Sequence, residues 1–382
     1  MLSLPRRARK HVRMIMLVGF LVFASLAVVL VQHDHNRRHE VNPSLASYTT
    51  ELGIGDQAIL SPQDADSICR SHGFKLYQNH SRKVYDLTLF ATELDWLEVR
   101  LQSLAPYVDY FVVVESDTTF TGKPKPLYLQ DNWSRFKDFH HKIIHKVVHD
   151  PVVSSRIWDH EDWFRNSLLN EVLPGLQGTP AEISYGDALV VGDMDEIVRP
   201  GVMMLLRHCT FPARLVLHTD FFYYSFQWRH RGPQWTHPDA TIYQGALTIP
   251  PNDLRQGLLG PGWLLVAAFR RWWDRGALYN AGWHCSSCFA TLDEMRKKMH
   301  GFSHQGWNTG YNRDAGVMMD RVRNGKDLFG RPTELYDRVE NNEDIPPYVL
   351  QQYREHGRFK YMLDRDGEDA GFEDWQSAMA HG

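Results

Sequence analysis

Three carboxylates end the stretch Asp187-Ala188-Leu189-Val190-Val191-Gly192-Asp193-Met194-Asp195-Glu196-Ile197. Residues two apart on an extended chain point to one side, so Asp193 and Asp195 aim together, and Glu196 faces away or begins a turn. Two like charges held at the end of a buried strand repel each other and lose hydration, and a divalent cation relieves both costs. Oxygen ligands suit a hard ion such as Mg²⁺ or Mn²⁺, and such an ion suits a diphosphate. A solvated acidic turn is the alternative reading of the same residues. The apolar run Ala188–Val191 before them is what raises the metal reading to its level.

Other residue groups offer supporting chemistry. His284 could supply a neutral imidazole as a third ligand beside Asp193 and Asp195, or be a satisfied core histidine. Cys285 and Cys288 stand three apart, but His284 is too close in sequence to complete a zinc tetrahedron easily. The chain is also larger and differently built than a thioredoxin-like domain, leaving a structural disulfide or buried thiols. Glu115 ends an apolar run, where a nucleotide base or ribose would lie in an open α/β sheet. Arg270, Arg271 and Arg275 stand among Trp263, Trp272 and Trp273; an arginine there could grip a phosphate or pair at the surface. The run Phe221–Trp228 favours core over a sugar-stacking platform. No serine-hydrolase elbow, P-loop, HExxH or dinucleotide fingerprint occurs.

The elements that must position these groups read as α/β. Val84–Phe90 is a β-rich run. Asp95 and Glu98 have capping-box spacing, and Leu97, Leu101 and Leu104 follow on one helical face until Pro106. Tyr110–Glu115 is apolar without alternation, the mark of a strand covered on both faces. Strand, helix and strand in about thirty residues make a right-handed βαβ unit. Thr118–Pro126 is a loop able to fold over a ligand. Further strands are predicted at 142–148 and 214–220, with helices at 161–173 and 201–208. Thr291 with Glu294 makes a second capping box, opening a helix to about His300. Gly260–Gly276 is expected to be a loop, and Tyr348–Tyr361 a final helix.

With 382 residues, 43% of them hydrophobic, the chain can bury one large core or two modest ones. Arg6, Arg7, Arg9, Lys10 and Arg13 precede Met14–Val31, about eighteen residues without a charge. That run is long enough to cross a bilayer, and the basic cluster keeps the N-terminal end in the cytoplasm. No small-x-small cleavage site closes it, so the expectation is an uncleaved signal anchor with a lumenal body. A short span sorts to thinner membranes, so the Golgi is the expected address. The rest of the chain carries 37 basic against 46 acidic residues, near −9, which disfavours a nucleic-acid surface. The sequons at Asn79 and Asn132 agree with a lumenal body. Cys69, Cys209, Cys285 and Cys288 could form two disulfides in any of three connectivities, and Cys69 could tether the stem to the body. The expected order is a cytoplasmic tail (1–13), anchor (14–31), stem (32–83), catalytic domain (84–365) and C-terminal tail (366–382).

A metal-held diphosphate in a lumenal α/β body suits transfer of a sugar from a nucleotide diphosphate. Charge at the anomeric carbon and in-line attack would invert that centre, with a carboxylate taking the acceptor's proton. The runs LFATELDWLEVRLQSL, DYFVVVESDTTFTGKPKPL, VVGDMDEIVRP, AGWHCSSCF and DIPPYVLQQYREHGRFKYML resemble glycosyltransferase family 17 over about residues 84 to 365. The resemblance implies a GT-A-like fold, a single Rossmann-like nucleotide-sugar-binding domain with a central, mostly parallel sheet. It also implies UDP-GlcNAc as donor, Mn²⁺ or Mg²⁺, inversion, β-1,4 transfer to a mannose of a glycoprotein N-glycan, and a type II Golgi protein. Asp193, Asp195 and Glu196 match its acidic motif, and Trp283, His284, Cys285 and Cys288 its second motif. The expected metal ligands are Asp193, Asp195 and His284. The expected donor contacts are Glu93, Glu115, Asp193, Asp195, Trp283 and His284, and Glu196 is the choice for catalytic base. Alternatives are another donor or acceptor on the same scaffold, or a glycan-binding protein without turnover. Oligomeric state is not readable.

Overall fold

The computed structural model describes residues 6–35, 38–41, 60–79, 82–303 and 305–380. The strands of its large sheet are β1 (Arg38–Glu40), β2 (Val84–Phe90), β3 (Tyr110–Ser116), β4 (Ile143–Val148), β5 (Ala188–Gly192), β6 (Glu196–Val198), β7 (Arg214–Tyr223), β8 (Ser225–His230), β9 (Asp239–Ile242), β10 (Arg275–Ser286) and β11 (Tyr336–Arg338). The long path of the sheet runs β1-β10-β7-β9-β5-β2-β3-β4, with β8 and β11 added beside β7, and β6 on β10. Pairing is parallel from β5 through β2 and β3 to β4, and again between β1, β10 and β7. Antiparallel β9 joins the two halves by pairing with both β5 and β7. The expected α/β class with a mostly parallel central sheet is therefore what the chain adopts.

The helices are α1 (Arg6–His35), α2 (Pro62–Ser71), α3 (Leu94–Leu104), α4 (Ile157–Ser167), α5 (Pro200–His208), α6 (Pro251–Arg255), α7 (Leu264–Trp273), α8 (Leu292–Gly301), α9 (Ala315–Arg323), α10 (Pro347–His356) and α11 (Trp375–Ala380). β2, α3 and β3 form the predicted βαβ unit. Leu97, Leu101 and Leu104 are fully buried under the sheet, as their spacing requires. Thr291 and Glu294 make both bonds of the predicted capping box at the start of α8.

Several expectations change. Asp95 is not the cap of α3: that position is Glu93. The Asp95 and Glu98 carboxylates instead accept from Arg135, and Tyr361 donates to Asp95. Gly260–Gly276 is not all loop, because α7 occupies its middle. The stretch 32–83 contains more than a loose stem: β1 joins the sheet, and α2 is bonded to the body through the disulfide Cys69–Cys209. The second disulfide is Cys285–Cys288, so neither zinc nor thiol chemistry applies there. Beyond residue 365, Phe372 and Ala378 pack into the cluster formed with α8 and α9.

The described side chains of α1, residues 14–30, are largely exposed apolar groups such as Ile15, Phe20 and Phe23. Among the described residues no helix is long and apolar enough to cross a membrane.

Candidate active site

The carboxyl ends of β2, β3 and β5 open into a cleft of about 520 Å³. Its walls take Phe90–Glu93 from the end of β2, Ser116 from β3, the predicted loop through Thr118–Phe120 and Lys123–Pro126, Arg165 from α4, and Lys297 and Lys298 from α8. Asp193, Met194 and Asp195 form its floor. A more open depression of about 870 Å³ lies between the start of α8 and the C-terminal segment, away from these strand ends. Ligands of open α/β sheets bind beyond the carboxyl ends of strands, so the smaller cleft is the site.

β5 is buried along its whole length and delivers the acidic turn. Gly192 is required just before it, because a Cβ there would meet Pro238 Cβ at 2.8 Å and Glu196 Oε2 at 3.2 Å. A buried ion pair sets the turn from below. Arg100 grips Asp86 through Nε and Nη2, each at 2.6 Å, and its Nη1 donates to the carbonyls of Asp193 (3.0 Å) and Glu196 (2.9 Å). Sequence reading missed this pair; an arginine on the apolar face of α3 was the available signal.

The three carboxylates take different surroundings. Asp193 accepts from Arg165 Nη1 at 2.8 Å and from Arg255 Nη2 at 2.7 Å. Burial pushes its pKa up, but the two guanidinium groups outweigh this and hold it below the ordinary value. Asp195 accepts from Lys298 Nζ at 3.0 Å, and its Oδ1 stands 3.6 Å from His284 Nε2. Burial lowers the pKa of Lys298, and Asp195 and Glu93 reverse this, leaving it raised and charged.

Glu196 begins β6 and is fully buried. It accepts from the Asp193 amide (2.8 Å), Trp235 Nε1 (2.7 Å) and both Arg255 terminal nitrogens (3.0 and 2.8 Å). Despite burial, Arg255 holds it ionised, well below its ordinary pKa. Glu196 therefore cannot serve as base to an acceptor hydroxyl in the cleft. It anchors Arg255 and the turn.

The other expected site residues divide. Glu93 lines the cleft, its Oε2 accepting the amides of Ala91 and Thr92. His284 faces Asp195 from β10, stacked on Phe221 with ring centroids 4.9 Å apart, and burial lowers its pKa. Glu115 does not reach the cleft: it is fully buried and accepts the amides of Leu129 and Gln130 and a contact from His145. Trp283, one residue from His284 on a strand, faces the opposite side. It donates to Asp344 at 3.0 Å under the Arg199 guanidinium, so it is not a donor contact in this cleft. Asn79 and Asn132 are both exposed. The aromatic run 221–228 is chiefly core, with Phe222, Tyr223, Tyr224, Phe226 and Trp228 buried.

The model of glycosyltransferase family 17 matches residues 9–248 and 269–352. The chain belongs to this family. The β-1,4-mannosyl-glycoprotein 4-β-N-acetylglucosaminyltransferase of Homo sapiens is 26% identical over 304 residues, covering 74% of this chain and 55% of its own. The rat relative of the same name is 25% identical over the same share. The chain thus spans about half the length of the curated relatives it matches. Among solved structures, Mycobacterium tuberculosis glucosyl-3-phosphoglycerate synthase, in complex with Mn²⁺, UDP and phosphoglyceric acid, aligns over 62% of this chain and 78% of its own, with 16% identity and a TM-score of 0.30.

The fit of a divalent cation can be tested on the residues present. Among the described residues no group of three or more His, Cys, Asp or Glu side chains is placed to hold one. Asp193 has both oxygens committed to arginines. Asp195 Oδ1 and His284 Nε2, 3.6 Å apart, are too distant for a hydrogen bond but suitably spaced for two ligands of one ion at about 2.1 Å from each. His284 Nδ1 has no hydrogen-bond partner, so no neighbour fixes the ring's proton. The fit is to a two-ligand site, with Asp193 outside it.

Proposed function

We propose that the chain transfers N-acetylglucosamine from UDP-GlcNAc to a mannose of a glycoprotein N-glycan, in β-1,4 linkage and with inversion. The observation that carries this reading is a family 17 chain whose acidic turn opens into a cleft with a cationic rim. Lys298, Lys297, Lys125 and Arg165 line one cleft with Asp195, and that charge suits a diphosphate. Asp195 and His284 are the residues that would hold Mn²⁺ or Mg²⁺. Such an ion would act as a Lewis acid and neutralise charge growing on the leaving diphosphate. Arg165 and Arg255 keep Asp193 ionised and fixed in orientation, and the Lys298 bond fixes the orientation of Asp195. Glu93, at the end of β2, contacts the donor from the opposite lip. The buried pair Arg100–Asp86 keeps the turn's backbone from moving as charge develops.

The body is proposed to be lumenal, held by α1 as a single-pass type II anchor in the Golgi membrane and glycosylated at Asn79 and Asn132. Support comes from the basic cluster in the first turns of α1, the exposed apolar side chains at 14–30, and two disulfides, which persist in oxidising compartments.

The experiment is turnover of a panel of nucleotide sugars by the full chain with N-glycan acceptors, with and without Mn²⁺. UDP-GlcNAc should be preferred, and Asp195→Asn should lower turnover on the order of 10²-fold or more while leaving the fold intact. Full activity in that variant overturns the proposed mechanism. Glycan binding without turnover under any condition would favour the non-enzymatic alternative.

A further inference from the structure

α7 is amphipathic with its polarity reversed. Ala267 is its one buried residue, and Arg270 on the same face turns inward to donate to Gln244 Oε1 at 2.6 Å. Outward stand Leu264, Leu265, Val266 and Phe269, more than half exposed, with Trp263 at 86% and Leu265 at 83%. Phe269 stacks on Trp273 at 5.8 Å, extending the apolar face to the end of the helix. A helix on a water-facing surface orients the other way, and contiguous apolar patches beyond a few hundred Å² mark interaction sites. The family match is interrupted over 249–268, so the first half of this face lies outside the matched residues.

Topology says what covers it. α7 runs through Asp274 directly into β10, whose first residues pair in parallel with β1: Arg38 lies opposite Ala277, and Glu40 opposite Tyr279. The chain entering β1 comes from α1, which ends at His35. Because β1 and β10 are parallel, the apolar N-terminal helix and α7 both approach the sheet at the same end of the same edge. Exposed Arg271 and Arg275 flank the α7 face. Tryptophan and arginine around an apolar face are the composition of a helix lying at the level of lipid headgroups.

We propose that α7 is an interfacial helix, which lays Trp263, Leu265 and Phe269 into the surface of the bilayer that holds α1 and so fixes the catalytic body against the membrane. This rests in part on reading α1 as the membrane anchor. The test keeps the two apart.

All four native cysteines are in disulfides, so one added cysteine takes an environment-sensitive fluorophore specifically. Full-length chain is labelled at Leu265→Cys, at Ser25→Cys within α1, or at the fully exposed Val153→Cys as the water control. Each is reconstituted in phosphatidylcholine–phosphatidylserine vesicles and quenched either with aqueous iodide or with lipids spin-labelled at shallow or deep positions. The expected result at Leu265 is a blue shift, loss of iodide quenching relative to Val153, and quenching by the shallow spin label. Overturning results are iodide access equal to that at Val153, or shielding from iodide without lipid quenching, which would mean that protein covers the face. Deep quenching at Ser25 with Leu265 in water sinks the interfacial helix alone. Shallow lipid quenching at Leu265 with Ser25 in water supports the helix and removes the anchor.

Discussion

The acidic turn and α7 both defy ordinary burial preference, in opposite senses. At the turn, charged groups are taken out of water: Glu196 and Arg100 are fully buried or nearly so, and Asp195 largely so. On α7, leucine, phenylalanine and tryptophan are left in water. The turn is compensated from within, since each of its carboxylates meets an arginine or lysine at 2.7–3.0 Å. On the outer face of α7, Trp263, Leu265 and Phe269 stay more than half exposed. A violation satisfied internally marks a preorganised site, and one left unsatisfied marks a surface meant for something outside the chain.

Substitutions should separate the two regions, beginning with the largest effect. Arg100→Met leaves Asp86 buried without its partner and should cost about 3–5 kcal/mol, read by chemical denaturation. Next, Asp195→Asn should lower turnover on the order of 10²-fold or more, as loss of an electrostatic group at a reacting centre does, with little change in the denaturation midpoint. Its neighbour should behave conversely. Glu196→Gln weakens charge-assisted bonds to Arg255 and should cost about 1.5–3 kcal/mol of stability, with activity falling only as far as the turn loosens. If the two neighbours lost activity equally at unchanged stability, their division into a cleft group and an anchor would be wrong.

A smaller, pH-dependent effect is expected at Glu98, which ties α3 to α10 and the segment after it. Burial raises its pKa, but bonds from Arg358, Tyr348 and Arg135 outweigh this and bring it from 4.5 down to about 2. The folded value lies below the unfolded one, so this stabilisation is fully present above pH 4.5 and fades as pH falls towards 2. Glu98→Gln should therefore flatten the acid limb of the stability curve in that window. The smallest effect belongs to α7: Leu265→Glu with Phe269→Glu should change stability in solution by within about 0.5 kcal/mol per site. A large loss would mean that this face is covered by the chain itself.

Much of this was legible in the sequence because local rules and global fold agree. β2, α3, β3 and β5 announce themselves through apolar runs and spacing, while Asp193 and Asp195 reach the cleft from the turn between β5 and β6 and not from the extended strand that a period of two assumes. What stayed hidden was non-local. Arg165, Arg255 and Lys298 come from three helices far apart in sequence, and no spacing rule brings them to one turn. Glu196 read as a base beside two metal ligands because local sequence cannot tell a floor residue from one beneath the floor. Glu115 failed for the same reason, since its amide partners Leu129 and Gln130 are supplied by a later turn of helix. Trp283 failed on parity: His284 has the cleft side of β10, so its neighbour cannot. The Trp- and Arg-rich segment reads as a loop in the sequence because its apolar residues face outward, opposite to the pattern that identifies a helix in a soluble body.

The central claim is that the cleft above Asp195 transfers N-acetylglucosamine to an N-glycan. Full-length chain should be incubated with isotopically labelled UDP-GlcNAc and a mannose-terminated N-glycan, beside the Asp195→Asn variant, and the products sequenced. One labelled N-acetylglucosamine on mannose from the unmodified chain, and product lower on the order of 10²-fold or more from the folded variant, is the predicted result. Equal product from both, or no transfer from any nucleotide sugar by the folded unmodified chain, would contradict it.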